Sequence, residues 1–86
     1  MMGMVEERIY VVPLSKAKKA ARYKRTPRAV RVLRDFIARH MKSENIKIGS
    51  DVNEKLWERG ARKPPSRIRV KAVKQEDGTV LVSLAE

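Results

Sequence analysis

Eighty-six residues without a cysteine predict one small domain with a single core, and they exclude a disulfide framework and a thiolate metal site. Lysine and arginine number 21 against 10 aspartate and glutamate, which gives a formal net charge of +11. Because self-repulsion at this charge destabilises a compact monomer, the composition indicates a polyanionic partner, and nucleic acid is the usual one.

The cations are concentrated in two acid-free segments. The first basic segment lies between Glu7 and Asp35 and holds ten cations, and the second lies between Glu58 and Glu76 and holds seven. Together they contain 17 of the 21 lysines and arginines. Two such segments on one side of the domain would form a binding surface.

A β-strand is predicted at the start of the chain, over Arg8–Val12, with Pro13 ending it or marking a sheet edge. Ile9–Val12 is continuously apolar, so we expect an interior strand with both faces at least partly covered. It is also the longest apolar run, too short to span a bilayer, and no signal-peptide pattern precedes it. We therefore expect a soluble, intracellular protein.

A basic arm is predicted next, over residues 15–25. Like charges at helical spacing oppose a helix there, and no apolar anchor is expected between Ser15 and Ala21. We therefore expect an arm that is mobile when free and ordered by a partner. Tyr23 has two possible roles, stacking on a base or anchoring the arm to the domain.

A long amphipathic helix is predicted over residues 27–42, with Thr26 as the N-cap and Pro27 at the first helical position. Asp35 is expected to brace the arginines four residues before and after it. His40 falls within the apolar stripe, so we expect a mostly buried imidazole. The apolar side consists of Ala29, Val30, Leu33, Phe36, Ile37 and Met41, and the opposite side carries Arg28, Arg31, Arg39 and Lys42, with Arg34 on the flank.

A short strand and a second helix follow. Ile46–Ile48 alternates like a strand, and a helix over Val52–Arg59 is expected to be capped by Asp51, with Glu54 at the reciprocal position and Gly60 as the stop. Its Trp57 is interpreted as a core residue in preference to a base-stacking platform.

A β-hairpin closes the chain. Ile68, Val70 and Ala72 alternate with basic residues, Asp77-Gly78 is a strong turn, and residues 79–85 form the returning strand. The predicted fold is one domain over residues 1–86. It is an α/β (α+β) two-layer sandwich whose small mixed sheet of three or four strands carries two helices on one face.

Catalytic chemistry finds little support in the residue inventory. One histidine, no cysteine and no clustered carboxylates leave no acid/base pair and no metal site, so we expect neither an enzyme nor a cofactor. The expected function is nucleic-acid binding by cations of both basic segments. The candidate residues are Lys18, Lys19, Arg22, Lys24, Arg25, Arg28, Arg31, Arg34, Arg59, Arg62, Lys63, Arg67 and Arg69.

Several motifs resemble one known family. They are the run from Lys24 to Val30, His40-Met41, Asn53 with the run from Leu56 to Gly60, and the run from Arg67 to Val70. In this order they resemble the large-subunit ribosomal protein thirty-one family of archaea and eukaryotes (the "L thirty-one e" family). The chain runs to Glu86 directly after its last predicted strand, without the longer tail of eukaryotic members, which favours the archaeal form.

The resemblance implies a non-catalytic, cofactor-free component of the cytoplasmic ribosome that binds large-subunit ribosomal RNA near the rim of the polypeptide exit tunnel. Neighbouring ribosomal proteins are the implied protein partners, with tunnel-exit factors as further candidates, and neither a membrane nor a small-molecule substrate is implied. The alternative from the residues alone is a DNA-binding regulator or chromatin protein that uses the 27–42 helix. A small RNA-processing enzyme is disfavoured by the missing acid/base set.

Overall fold

Four strands form one mixed sheet and two helices pack on one of its faces in the computed structural model, which describes residues 4–85 and the side chains of residues 6–85. The strand order is β1-β3-β4-β2, with β2 parallel to β4 and the other pairs antiparallel. The predicted two-layer α+β sandwich is confirmed. The elements are β1 (Met4–Pro13), α1 (Arg25–Met41), β2 (Ile46–Ile48), α2 (Ser50–Trp57), β3 (Arg67–Gln75) and β4 (Val80–Leu84).

The core lies between the helices and one face of the sheet. In β3 the buried Ile68 and Val70 alternate with the exposed Arg67 and Arg69, so one face packs on the helices and the other is open. The predicted alternation of β3 is confirmed. The described buried apolar residues are Val12, Leu14, Ala17, Ala29, Leu33, Ile37, Met41, Ile46, Val52, Leu56, Ile68, Val70, Ala72, Val80 and Val82.

β1 is an edge strand, which corrects the expected interior position. It pairs with β3 on one side only, and Ile9 and Val11 on the open face are 54% and 55% exposed. Val12, on the opposite face, is fully buried. The continuous apolar run therefore reflects one buried face and one open apolar face. Pro13 is the last residue of β1 and lies at the edge of the sheet, so both roles suggested for it are confirmed.

Two glycines end or reverse the chain where the sequence predicts it. Gly60 follows α2 with φ of 82°, and its amide donates to the Trp57 carbonyl at 2.8 Å. Gly78 has φ of 91° in the turn between β3 and β4, next to Asp77. These backbone angles lie in the left-handed region that glycine adopts without a steric penalty. The predicted hairpin is confirmed, whereas α2 ends at Trp57, two residues before its predicted end, and Gly60 closes the turn that follows the helix.

Asp51 does not cap α2, contrary to the prediction. The helix begins at Ser50, its N-cap is Gly49, and there is no side-chain capping bond. Asp51 instead accepts hydrogen bonds from the backbone N–H of Val52 at 2.8 Å and of Leu84 at 3.0 Å. Because β4 runs beside the start of α2, the carboxylate joins the two elements.

Candidate nucleic-acid interface

Helix α1 separates the core from a row of cations. Leu33 and Ile37 are fully buried on one side, whereas Arg28 and Arg31 are exposed on the other. The two predicted faces of this helix are confirmed, and the helix begins two residues before the predicted start. Its exposed cations, with Lys42 at the C-cap included, are Arg28, Arg31, Arg34, Arg39 and Lys42.

Two charged residues of α1 behave differently from the expectation. Arg34 donates from Nη1 to the Ile46 carbonyl at 3.0 Å, so part of its hydrogen-bonding capacity holds β2 against the helix. Among the described side chains, no lysine or arginine nitrogen lies within 4.0 Å of the Asp35 carboxylate oxygens. The predicted brace between Asp35 and its neighbouring arginines is therefore wrong. An exposed arginine gains little from a neighbouring carboxylate in water, and the side chains remain solvated.

The basic arm has an apolar anchor, contrary to the expectation from its sequence. Residues Ser15–Lys19 and Arg22–Lys24 form two short 3₁₀ turns. Ala17 in the first turn is fully buried against α1, and the backbone N–H of Leu14 donates to the Ser66 carbonyl at 2.8 Å. The base of the arm is therefore packed on the domain, while Lys16, Lys18 and Lys19 are exposed.

Thr26 joins the two basic segments. Its backbone N–H donates to the Ala61 carbonyl at 2.9 Å, and its hydroxyl donates to the Gly60 carbonyl at 2.7 Å. The predicted N-cap role is therefore wrong, because the buried hydroxyl bonds to a distant carbonyl and Lys24 occupies the N-cap position. These two bonds place the start of α1 directly beside the loop that follows α2.

A broad cleft of about 930 Å³ lies between the arm and α1. We call it the arm cleft. Ala20 and Pro27 provide apolar surface in it, and its other described lining residues are all cations. One of these, Lys16, was absent from the predicted contacts; its spacing of three from Lys19, which places both on one side of a 3₁₀ turn, was the available signal. The cationic lining residues are Lys16, Lys19, Lys24, Arg28 and Arg31.

A second concave region, which we call the junction cavity, lies where the two basic segments meet. It has a volume of about 380 Å³ and is lined by Arg22, Arg25, Arg62 and Lys63, two residues from each segment. A further depression of about 260 Å³ brings Lys63 together with Arg59 and Arg67, beside the Lys55–Glu58 pair. The structure thus assembles most of the predicted contact residues around the start of α1.

Arg69 is not part of this group. It alternates with the buried Ile68 and Val70, so it lies on the open face of the sheet, away from α1. Lys71 on the same face is 3.3 Å from Glu7. The predicted basic face of β3 therefore exists, but Arg69 and Lys71 form a separate surface, whereas Arg67 at the start of the strand lines the depression with Arg59 and Lys63.

The described ion pairs lie away from the arm cleft and the junction cavity. Glu6 accepts a hydrogen bond from Arg8 Nε at 3.0 Å, and this bond together with the nearby negative charge raises the pKa of Arg8. The other pairs are Lys71–Glu7 and Lys55–Glu58, each at 3.3 Å. Since no acidic residue is among the described lining residues of either concave region, the positive charge there is not neutralised locally.

Trp57 and His40 are more exposed than expected, and Tyr23, whose role the sequence left open, is exposed as well. Tyr23 is 64% exposed, so it does not anchor the arm, and Trp57 is 39% exposed, so it is not a core residue. His40 is exposed as well, although burial was predicted; its ring stacks on Phe36 at 4.0 Å between centroids, and Nδ1 lies 2.8 Å from the Phe36 carbonyl oxygen. Tyr10, on the edge strand β1, also contacts the imidazole, with 5.4 Å between the ring centroids.

Two other kinds of site are not found in the described part of the chain. Within residues 4–85 no three His, Cys, Asp or Glu side chains are grouped so that they could hold a metal ion. No described helix is long and apolar enough to cross a membrane.

Comparisons with known proteins identify the family. The family model described as "Ribosomal protein L31e" matches residues 4–79. Large ribosomal subunit protein eL31 of Methanopyrus kandleri is 65% identical over 86 residues, covering all of both chains. The proteins of the same name from Methanothermobacter thermautotrophicus and Methanocaldococcus jannaschii are 55% and 54% identical, over 93% and 96% of this chain and 99% and 95% of theirs. The chain therefore belongs to the ribosomal protein L31e family.

Proposed function

We propose that this chain is a structural, non-catalytic component of the large ribosomal subunit that binds large-subunit ribosomal RNA. The interface consists of the arm, the exposed arginines at the start of α1, and the loop between α2 and β3. The observation that carries the proposal is the concave basic surface around the start of α1, where nine cations line the arm cleft and the junction cavity without a described acidic lining residue. Such a surface fits the phosphate backbone of a folded RNA.

The division between lysine and arginine supports a division of labour. Lys16, Lys18 and Lys19 lie on the arm, where point charges neutralise phosphates without demanding one geometry. Arg28 and Arg31 stand on a helix whose opposite face is buried, so their planar guanidinium groups are presented from a rigid base. Tyr23, exposed between these groups, has the surface that an unstacked base would need.

The test is a titration of a structured fragment of large-subunit ribosomal RNA over a range of salt concentrations. If about six to eight phosphates are neutralised, log K falls with log salt at a slope of roughly −4 to −7. A slope shallower than about −2 would show that the concave surface is not the interface.

A matched pair of double variants separates this site from general electrostatic attraction. Arg28→Ala with Arg31→Ala removes two cations of the arm cleft, whereas Arg39→Ala with Lys47→Ala removes two exposed cations outside the lining of either concave region. We expect the first pair to weaken binding by about 1.5–3 kcal/mol for each charge-assisted hydrogen bond that it removes, and the second pair to weaken it much less. Equal losses of affinity in the two double variants would show that the RNA is attracted by the overall positive charge and not by this site.

The geometry gives no support to the DNA-binding alternative. A helix-turn-helix needs about three or four residues between its helices, whereas β2 and its flanking residues separate α1 from α2. Duplex DNA of matched length in the same titration distinguishes the two functions, and the RNA proposal requires tighter binding to the RNA.

The place of the chain in the subunit is part of the same proposal. The family resemblance supports a position near the rim of the polypeptide exit tunnel in the cytoplasmic ribosome, with neighbouring ribosomal proteins as partners and tunnel-exit factors as further candidates. Proximity crosslinking from Lys47, on the open face of the sheet, within intact large subunits would identify the neighbours on that side.

A further inference from the structure

The junction cavity combines cations that are distant in sequence. Arg22 and Arg25 come from the first basic segment, and Arg62 and Lys63 come from the second. The wall of the cavity is mostly apolar, because the aliphatic parts of these side chains form it, and their four like charges lie close enough to repel each other. Among the described lining residues there is no carboxylate to offset these charges. An anion in the cavity would reduce this repulsion for both segments at once.

Arg25 has an unsatisfied group at this position. Its Nε atom exposes less than 1 Å² and has no hydrogen-bond partner within the described residues. Buried N–H groups are nearly always paired, because an unpaired one loses its hydration without compensation. A turn of the guanidinium towards an anion in the cavity would give this N–H an acceptor.

The cavity also lies at a helix end that favours negative charge. Arg25 is the first residue of the 17-residue helix α1, the first turn contains no acidic residue, and no side chain caps it. The partial positive charge of the helix N-terminus therefore adds to that of the four side chains.

The walls of the cavity are held together before any ligand binds. Thr26, next to Arg25, donates its backbone N–H to the carbonyl of Ala61, next to Arg62, at 2.9 Å. The hydroxyl of Thr26 makes a second bond across the same junction, to Gly60 at 2.7 Å. Since the two backbones are fixed to each other, an anion between Arg25 and Arg62 has to order only the side chains and not the backbone.

We infer that the junction cavity binds a single phosphate group of the RNA and that cations from both basic segments contact this one phosphate. The inference rests on the proposed RNA binding and goes further, because it makes the two segments energetically coupled. If the cations of the first segment no longer hold the phosphate, it no longer occupies the junction cavity, and the cations of the second segment then contribute little to RNA affinity. Independent contacts to separate phosphates would show no such coupling.

The test is a double-mutant cycle of RNA affinity with Arg25→Gln, Arg62→Gln and the double variant. A shared phosphate predicts an affinity loss of about tenfold for each single variant and only about twentyfold for the double variant, instead of the roughly hundredfold of independent sites. The control cycle combines Arg62→Gln with Arg31→Gln, whose side chain lines the arm cleft, and its losses should multiply. Thermal melts verify folding, and Arg22→Gln replaces Arg25→Gln if the start of α1 is disturbed.

A second measurement follows the Arg25 Nε–H resonance by NMR during titration with inorganic phosphate, with chloride at matched ionic strength as the control. The expected result is a saturable shift with phosphate that chloride does not produce and that Arg62→Gln removes. If the affinity losses of the Arg25 and Arg62 variants multiply in the double variant, the inference is overturned. An Arg25 Nε–H resonance that does not shift with phosphate would then show that the cavity holds no anion. A resonance that does shift would show that the cavity holds free phosphate but no phosphate of the RNA. In both cases RNA binding itself stands, whereas unchanged RNA affinity in all variants would refute the proposed function as well.

Discussion

The hydroxyl of Thr26 donates to the carbonyl of Gly60 at 2.7 Å across 34 residues of sequence. Thr26 is fully buried at the start of α1, and Gly60 ends the turn after α2. The bond therefore fixes the relative position of the two basic segments, and with it the shape of the surface that the RNA would meet.

Removing this hydroxyl should weaken the fold and loosen the junction. Thr26→Val keeps the shape but leaves the Gly60 carbonyl without its partner, so we expect a loss of about 1–2 kcal/mol in the free energy of unfolding. Thr26→Ser retains the hydroxyl and is the control. Chemical denaturation gives the energies, and the carbonyl ¹³C shift of Gly60 should move in the valine variant only. The same shift in both variants would show that the bond is not the cause.

Gly49→Ala should destabilise the protein. A Cβ at this position would lie 2.9 Å from the Val82 carbonyl oxygen and 2.7 Å from Asp51 Oδ1, and the first of these is backbone that cannot rotate away. We expect a cost of about 1–3 kcal/mol, measured by urea denaturation. Asp51→Ala alone is the reference for a second comparison, because it removes the carboxylate together with its hydrogen bonds to Val52 and Leu84. Gly49→Ala should destabilise this variant as well, since the contact with Val82 remains. No further loss of stability in the Asp51→Ala background would assign the strain to the carboxylate alone.

Enlarging Ala17 should disturb the arm. Its side chain is fully buried, so Ala17→Leu overpacks the site and should lower the free energy of unfolding by about 1–3 kcal/mol. RNA affinity should fall with it, since Lys16 and Lys19 flank this residue in the arm cleft. Ala21→Leu makes the same change at an exposed position and should stay within about 0.5 kcal/mol of the parent. Indistinguishable variants would indicate that the arm is not packed in solution.

Alanine substitutions at two positions on the apolar side of α1 should destabilise the protein to different extents. Leu33→Ala removes a fully buried side chain and should cost about 2–5 kcal/mol, a large share of the stability of so small a domain. Phe36→Ala should lower the free energy of unfolding by less than the removal of a fully buried phenylalanine would. The Phe36 ring is only half-buried, and part of its contact is with the exposed His40. Thermal melts of both variants measure the difference, and a larger loss of stability at Phe36 would contradict the packing described above.

Acid should weaken the β3–β4 hairpin through Asp77. The Thr79 N–H donates to Asp77 Oδ1 at 2.9 Å, and this bond holds the pKa of Asp77 below its ordinary value. The stabilisation is complete above the pKa of the unfolded chain and is lost as the pH falls through the lower, folded value. The stability of the Asp77→Asn variant should therefore decrease less steeply than that of the parent as the pH falls. Glu76→Gln, an exposed neighbour, is the control, and identical pH profiles for Asp77→Asn and the parent would exclude this contribution.

Patterns within one element predicted the structure well. The alternation of Ile68, Val70 and Ala72 with cations defines both faces of β3, because a strand has a period of two residues. The apolar spacing of α1 likewise predicts which arginines are exposed. These properties follow from local geometry and can be read without knowing the neighbours.

Features that depend on distant neighbours were missed. Thr26 has the sequence signature of an N-cap, but Gly60 and Ala61 offer better partners from 34 and 35 positions away. Ala17 is a single small residue among lysines, so no periodicity reveals that α1 buries it. The position of β1 at the edge depends on the strand order, which its own composition does not encode. The junction cavity could not be foreseen for the same reason, since its two walls meet only in the folded chain.

The open edge of β1 has a consequence for handling the protein away from its partner. Its outer backbone groups are unpaired within the described residues, and Ile9 and Val11 lie exposed beside them, so two copies could pair edge to edge. The net charge of +11 makes two copies repel each other, but dissolved salt screens this repulsion and limits the distance over which it acts. Raising the salt from 0.1 M to 1 M shortens that distance from about 10 Å to about 3 Å. Salt concentrated enough to release the proposed RNA partner would therefore also remove the protection against self-association, so release by dilution or competing polyanions should recover more monomer than release by concentrated salt.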